Sequence, residues 1–205
     1  MLRSDQKPNR LFEPEDLTWL ADPGAWTFLA AGSEGSAAAR SAAHRRWMDR
    51  HRHVHPHAEL LFVLAGDCQH GQGRRVRELR PGCVCFFAPH DPHDEGYRPG
   101  GPLRHLWVSI LADHYVANLV ARGGRGQPPR PVWRELLTPA EAGVLPDLFY
   151  PRRSGAEAGP AEAVAIAGPG NGVEPTEPLA LARVRAAGAV LATRLIERSR
   201  SPAAH

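Results

Sequence analysis

The chain has 205 residues, enough for one sizeable core with appendages, and its 42% hydrophobic and 23% charged content is that of a globular protein. Twenty glycines and twenty prolines are more turn formers than a helical bundle tolerates, so many short strands are expected. The formal net charge is only +3 and Lys7 is the single lysine, so we read the arginine excess as genome bias and not as a nucleic-acid surface.

The opening MLRSDQKPNRLFEPEDL lacks the apolar core of a signal peptide, and no later run approaches the roughly 18 apolar residues of a membrane span. A cytoplasmic protein with no membrane partner is the expectation. Residues 1–24 are polar and Pro-containing and read as an N-terminal arm. AWTFLAAG (25–32) reads as a first strand ended by a Gly/Ser/Ala-rich stretch.

The next stretch, HRHVHPHAELLFVLAG (51–66), sets four histidines on alternate positions before an acid and an apolar run. In a strand, alternate side chains share a face, so His53, His55, His57 and Glu59 would point the same way and continue into Leu61 and Val63. Neutral imidazoles and a carboxylate are ligands for a divalent first-row metal such as zinc, manganese, iron or nickel. Further strands are predicted at ELLFVLAG, RRVREL, CVCFFAP and LRHLWVSIL, all between Glu59 and residue 111. Pro81-Gly82 makes the turn into CVCFFAP, and His90 and His93 are expected on the loop that leaves it. Cys83 and Cys85 would share one side of that strand, as buried free thiols together with Cys68.

On LRHLWVSI, Trp107 alternates with His105 and Ser109 and is a candidate pocket lining, as are Trp47 and Phe62; His57 and His105 are candidates near the mouth. GGRGQPPRPVW reads as a loop. TPAEAGVLPDLF (138–149) begins as a capped short helix with Thr138 before Glu141. Residues 151–178, rich in Gly, Pro and Ala, read as a flexible segment. The chain closes with an amphipathic helix over 179–198, Leu181, Val184, Leu191 and Leu195 on one face and Arg183, Arg194, Glu197 and Arg198 opposite. That apolar stripe suits packing on its own barrel or a seam with a second copy.

His53-x-His55 with Glu59 four residues on, six more residues to Gly66, then Pro81-Gly82 and a histidine after a Pro-containing loop, resembles the two motifs of the cupin superfamily. The resemblance implies a mainly β fold, a cupin-type antiparallel β-barrel (double-stranded β-helix or jelly roll) over residues 25–150. It also implies a metal held by His53, His55, Glu59 and His93. Two departures stand out: Cys83 follows the Pro-Gly where cupins commonly carry aspartate, and Pro56 interrupts the histidine run, where it removes a ladder donor.

Within cupins, HPHAELLFVLAG, LRPGCVCFFAPHDPH and LRHLWVSI look most like the N-terminal effector-binding domain of AraC-family transcription regulators. That likeness implies a small-molecule effector in the barrel and a homodimer through the terminal helix. No helix-turn-helix pair is legible, so direct DNA binding by this chain alone is not expected. The alternative is a metal-dependent cupin enzyme, a dioxygenase or isomerase. No catalytic residue beyond the three-His, one-Glu set is readable, which favours the sensor.

Overall fold

A computed structural model of the chain describes residues 11–30, 52–72, 75–97, 101–122, 127–149 and 178–200. Within them lie nine strands: β1 (Thr27–Leu29), β2 (Ala58–Ala65), β3 (Cys68–Gln72), β4 (Arg75–Leu79), β5 (Cys83–Phe87), β6 (His93–Tyr97), β7 (Leu103–Ile110), β8 (Tyr115–Arg122) and β9 (Arg130–Leu137). Three α-helices accompany them, α1 (Pro14–Leu20), α2 (Pro139–Ala142) and α3 (Pro178–Arg200). The fold is mainly β: a six-stranded sheet in the order β1-β5-β2-β7-β8-β9 and a three-stranded sheet in the order β4-β3-β6, the two-sheet β architecture that the cupin resemblance implies.

The central strands of the larger sheet are buried on both faces, which is why β2 reads AELLFVLA with hardly a break in its apolar run. Leu60, Phe62 and Leu64 pack in the layer that includes the helices, and Leu61 and Val63 belong to a second cluster with Cys68, Leu79, Cys83, Cys85, Phe87 and Trp107 on the side of the smaller sheet. Gly66 ends β2 at φ 81°, and a Cβ there would lie 2.2 Å from the Pro102 carbonyl oxygen, so this turn admits only glycine without rearrangement. Gly82, at φ 98°, makes the turn expected of Pro81-Gly82; its N–H donates to Val63 O and its carbonyl accepts from Thr27 N.

Several expectations change. The first strand pairs in parallel with β5, while every other ladder is antiparallel. The histidine run is not one continuous strand: β2 starts at Ala58, after a bend at Pro56 and His57, because Pro56 has no N–H to give to a ladder. His93 is the first residue of β6 and not part of a loop. The stretch read as a loop through Trp133 becomes β9 from Arg130, paired with β8. Strands β3 and β8 had no counterpart in the sequence reading.

Residues 11–24, part of the expected arm, supply α1 and a short 3-10 turn, and Phe12, Leu20 and Trp26 join the helix-side core. Arg104 on β7 ties α1 down through Asp16 and Glu13. Thr138 and Glu141 form the reciprocal cap anticipated for α2: Thr138 N donates to Glu141 Oε2 at 2.8 Å and Glu141 N to Thr138 Oγ1 at 3.3 Å. On α3, Val184, Leu191 and Leu195 are buried in the domain's own core with Leu181 against it, so the apolar stripe is filled within the chain. Residues 151–177 lie outside the described residues, and Pro178 opens α3. Among the described residues no helix is long and apolar enough to cross a membrane.

Candidate metal centre

Although the histidine run is not a strand, its backbone is clasped to the opposite sheet. His53 and His93 form an isolated antiparallel bridge, His53 N donating to His93 O at 3.0 Å and His93 N to His53 O at 3.1 Å. His90 N donates to His55 O at 2.7 Å, which holds His90 in a left-handed conformation (φ 65°) that few non-glycine residues adopt. The Asp91 carboxylate accepts from Ala88 N and Gln72 Nε2, both at 3.1 Å, and fixes the turn leading into β6. Two pieces of chain nearly forty residues apart in sequence therefore meet at one point.

At that point the ligand atoms of His53, His55 and His93 all lie within 4.8 Å of one another. Glu59 stands beside them at the start of β2, with Oε2 3.2 Å from His93 Nε2 and 3.7 Å from His55 Nε2. His93 Nδ1 lies 2.8 Å from Asp91 O, an acceptor, so its proton sits on Nδ1 and the neutral ring keeps its lone pair on Nε2. Nε2 is buried and, despite its distance from Glu59, lacks the alignment of a hydrogen bond. A bare nitrogen lone pair facing a carboxylate oxygen across 3.2 Å is repulsive, so the contact calls for either a proton on Nε2 or a bound cation. Three imidazoles and one carboxylate fit a divalent first-row metal.

The titration behaviour follows the same geometry. For Glu59, burial alone would raise the pKa, but His93, His55 and the Ser109 hydroxyl outweigh it and hold the carboxyl below its ordinary value. For His93, burial would lower the pKa, yet Glu59 and the Asp91 carbonyl raise it. His55 is lowered, first by burial against the pull of Glu59, then by His53, His93 and His57. In the apo state the cluster therefore favours a proton on His93, where a bound metal would take its place.

The remaining candidates distribute around this centre. His57 is not among the three converging rings; its Nε2 lies 3.3 Å from Glu59 Oε1 and its ring stacks on His55. Trp107, 9% exposed, lies on the interior side with its ring 6.0 Å from Phe87. His105 is fully buried on the same face of β7, and burial followed by the Arg122 charge pushes its pKa down to about 3. Phe62 does not reach the interior: it packs edge-on against Trp26 at 5.4 Å in the helix-side core, because its position on β2 has the opposite parity to Leu61. Trp47 lies outside the described residues. Cys68, Cys83 and Cys85 are buried free thiols, and burial raises the pKa of Cys68 and Cys85, so these two stay protonated and are poor ligands.

Three residues were not singled out as site members from sequence. Phe87 ends β5 and forms the floor, with His93 stacked on it at 4.6 Å and 15° and His70 at 4.7 Å. His70, 1% exposed on β3, has neither ring nitrogen hydrogen-bonded; burial and then His93 and Arg77 keep it well below the usual histidine pKa and hence neutral. Its alternation with Cys68 and Gln72 in CQHGQ was the available signal. Ser109 donates to Glu59 Oε1 at 2.9 Å.

A family model described as the AraC-like ligand binding domain matches residues 36–145, more than half of the chain. The chain belongs to the AraC-like ligand-binding domain family. A 63-residue stretch is 36% identical to an (R)-mandelonitrile lyase from Granulicella tundricola, covering 30% of this chain and 47% of the lyase. The chain thus spans about half the length of that curated relative. A solved structure assigned as a sugar phosphate isomerase, from Acidithiobacillus ferrooxidans, overlaps 44% of this chain and 58% of its own at 18% identity and a TM-score of 0.28, too little to carry weight.

Proposed function

We propose that this AraC-like ligand-binding domain is a small-molecule sensor whose effector enters the cupin interior above a divalent metal held by His53, His55 and His93 with Glu59. The observation that carries the reading is the convergence of three histidine ligand atoms within 4.8 Å at the edge of an interior floored by Phe87 and Trp107. A divalent ion bound there supplies a Lewis-acidic contact for an oxygen of the effector. The chain's residues do the rest: Trp107 and Phe87 give an apolar wall with His105 on the same face of β7, and His70, buried and neutral, offers hydrogen-bonding nitrogens beneath it.

Occupancy is read out by a transcription-regulating partner, with the domain working as a homodimer. Since the α3 stripe is filled from within, the dimer contact uses another surface, and light scattering that finds only monomer at high concentration removes this element. Three free thiols fit a reducing cytoplasm.

The sensor is tested on chain loaded separately with zinc, manganese, iron or nickel, screened for thermal stabilisation by polar sugars and hydroxy acids. Saturable stabilisation that requires metal and disappears in Trp107→Ala supports it; none in any metal form contradicts it. The lyase relative favours one second reading, a metal-dependent enzyme that cleaves a cyanohydrin. Release of benzaldehyde and cyanide from (R)-mandelonitrile by the loaded chain, abolished in His93→Ala, would displace the sensor.

A further inference from the structure

The carboxylate of Glu59 is held from behind. Its Oε1 accepts a hydrogen bond from Ser109 Oγ at 2.9 Å and lies 3.3 Å from His57 Nε2, while Oε2 faces His93 and His55 at 3.2 and 3.7 Å. The two oxygens have different surroundings: one is committed to side chains of the protein, and the other faces the convergence point.

The hold is built into the sheet. Glu59 on β2 and Ser109 on β7 sit directly opposite one another in the antiparallel ladder, so their side chains rise from the same face as neighbours. A serine hydroxyl on this short side chain delivers its proton to Oε1 with little freedom to go elsewhere. A glutamate with three rotatable side-chain bonds would otherwise be free to swing, or to offer both oxygens at once.

We propose that Ser109 is a positioning residue for the metal centre: it locks Glu59 Oε1 so that Oε2 alone is presented to the ion. The inference rests on the metal reading above and assigns a role to a residue outside the ligand set. The resulting donor set is three imidazole nitrogens and one carboxylate oxygen, with the other carboxylate oxygen occupied. Partners behind ligands of this kind usually account for about 10- to 100-fold in metal affinity.

The test uses the full chain and Zn²⁺, with affinity read by competition against a chromogenic chelator and geometry read from the d–d absorption of the Co²⁺-loaded form. Ser109→Ala is expected to raise the Zn²⁺ Kd by about tenfold or more and to alter the Co²⁺ spectrum, with the apo melting temperature nearly unchanged. Ser109→Thr and Ser109→Val, nearly equal in size, separate the hydroxyl from packing and serve if the alanine variant does not fold. Threonine should restore wild-type affinity and spectrum, and valine should not. Wild-type affinity and spectrum in Ser109→Ala or Ser109→Val overturn the positioning role while leaving the metal centre standing. Failure of the wild-type chain to bind Zn²⁺ or Co²⁺ removes the centre itself, and the role of Ser109 with it.

Discussion

The two faces of the central strands of the six-stranded sheet are both buried, yet they bury different chemistry. Toward the helices, β2 and β7 present Leu60, Phe62, Leu64, Leu106, Val108 and Ile110, all apolar and continuous with Leu191 and Leu195 of α3. Toward the smaller sheet they present Leu61, Val63 and Trp107 interleaved with Glu59, His105 and Ser109. Buried polar groups cost free energy unless they are partnered. The helix-side face therefore carries the stability of the domain, and the interior face gives some of it up to hold a site. Substitutions on the two faces should separate cleanly.

The largest effect belongs to the helix-side face. Phe62→Ala removes a fully buried ring packed on Trp26 and should lower unfolding free energy by about 3–5 kcal/mol in urea denaturation, with the metal affinity of the folded fraction unchanged. A loss under about 1 kcal/mol would show that this layer is not the main core. On the other face, His93→Ala should weaken Zn²⁺ binding more than about 100-fold, beyond the usual cost of losing an outer partner, while destabilising the apo chain less than Phe62→Ala does. Near-equal affinity in a competition titration would break the comparison.

The pH dependence of apo stability comes from the interior face as well. His105 is neutral when folded, with its pKa pushed down from 6.5 to about 3, so the unfolded chain takes up a proton that the folded chain refuses. The stability is complete above pH 6.5 and is lost as pH falls from there toward 3. At pH 5 the loss is about 2 kcal/mol. His105→Gln should flatten that slope in urea titrations between pH 7 and 5, and an unaltered slope would sink the assignment. The smallest effect is on the surface: Arg198 on α3 pairs with Glu135 of β9 at 3.2 Å, and Arg198→Ala should cost no more than about 1 kcal/mol. A larger loss would mean that the helix docks by charge rather than through Leu191 and Leu195.

The strands bounded by clear turn signals were legible in the sequence, polar β4 among them, whereas apolar β8 and the polar β3 and β6 were not. β2, β5 and β7 announce themselves by largely apolar runs between turn signals, because both of their faces are buried. β3 and β6, with CQHGQ and HDEGY, carry too few apolar residues for a strand signal, since their partners on the inside are the polar groups of the site. β9 was hidden by the Gly- and Pro-rich stretch before it, and its exposed Val132 and Leu136 broke the inward-facing pattern. His53, His55, Glu59 and His93 were named by motif resemblance, and they come together here through the bridge between His53 and His93, a long-range pairing that local periodicity does not encode. For His70 and Ser109 only register across strands shows what they face.

Zinc K-edge X-ray absorption on the metal-loaded chain tests the central claim most directly. Three imidazole nitrogens and one carboxylate oxygen at about 2.0–2.2 Å, with no sulfur scatterer, are the predicted first shell. Fewer than three imidazoles, or a sulfur contribution near about 2.3 Å, would contradict it.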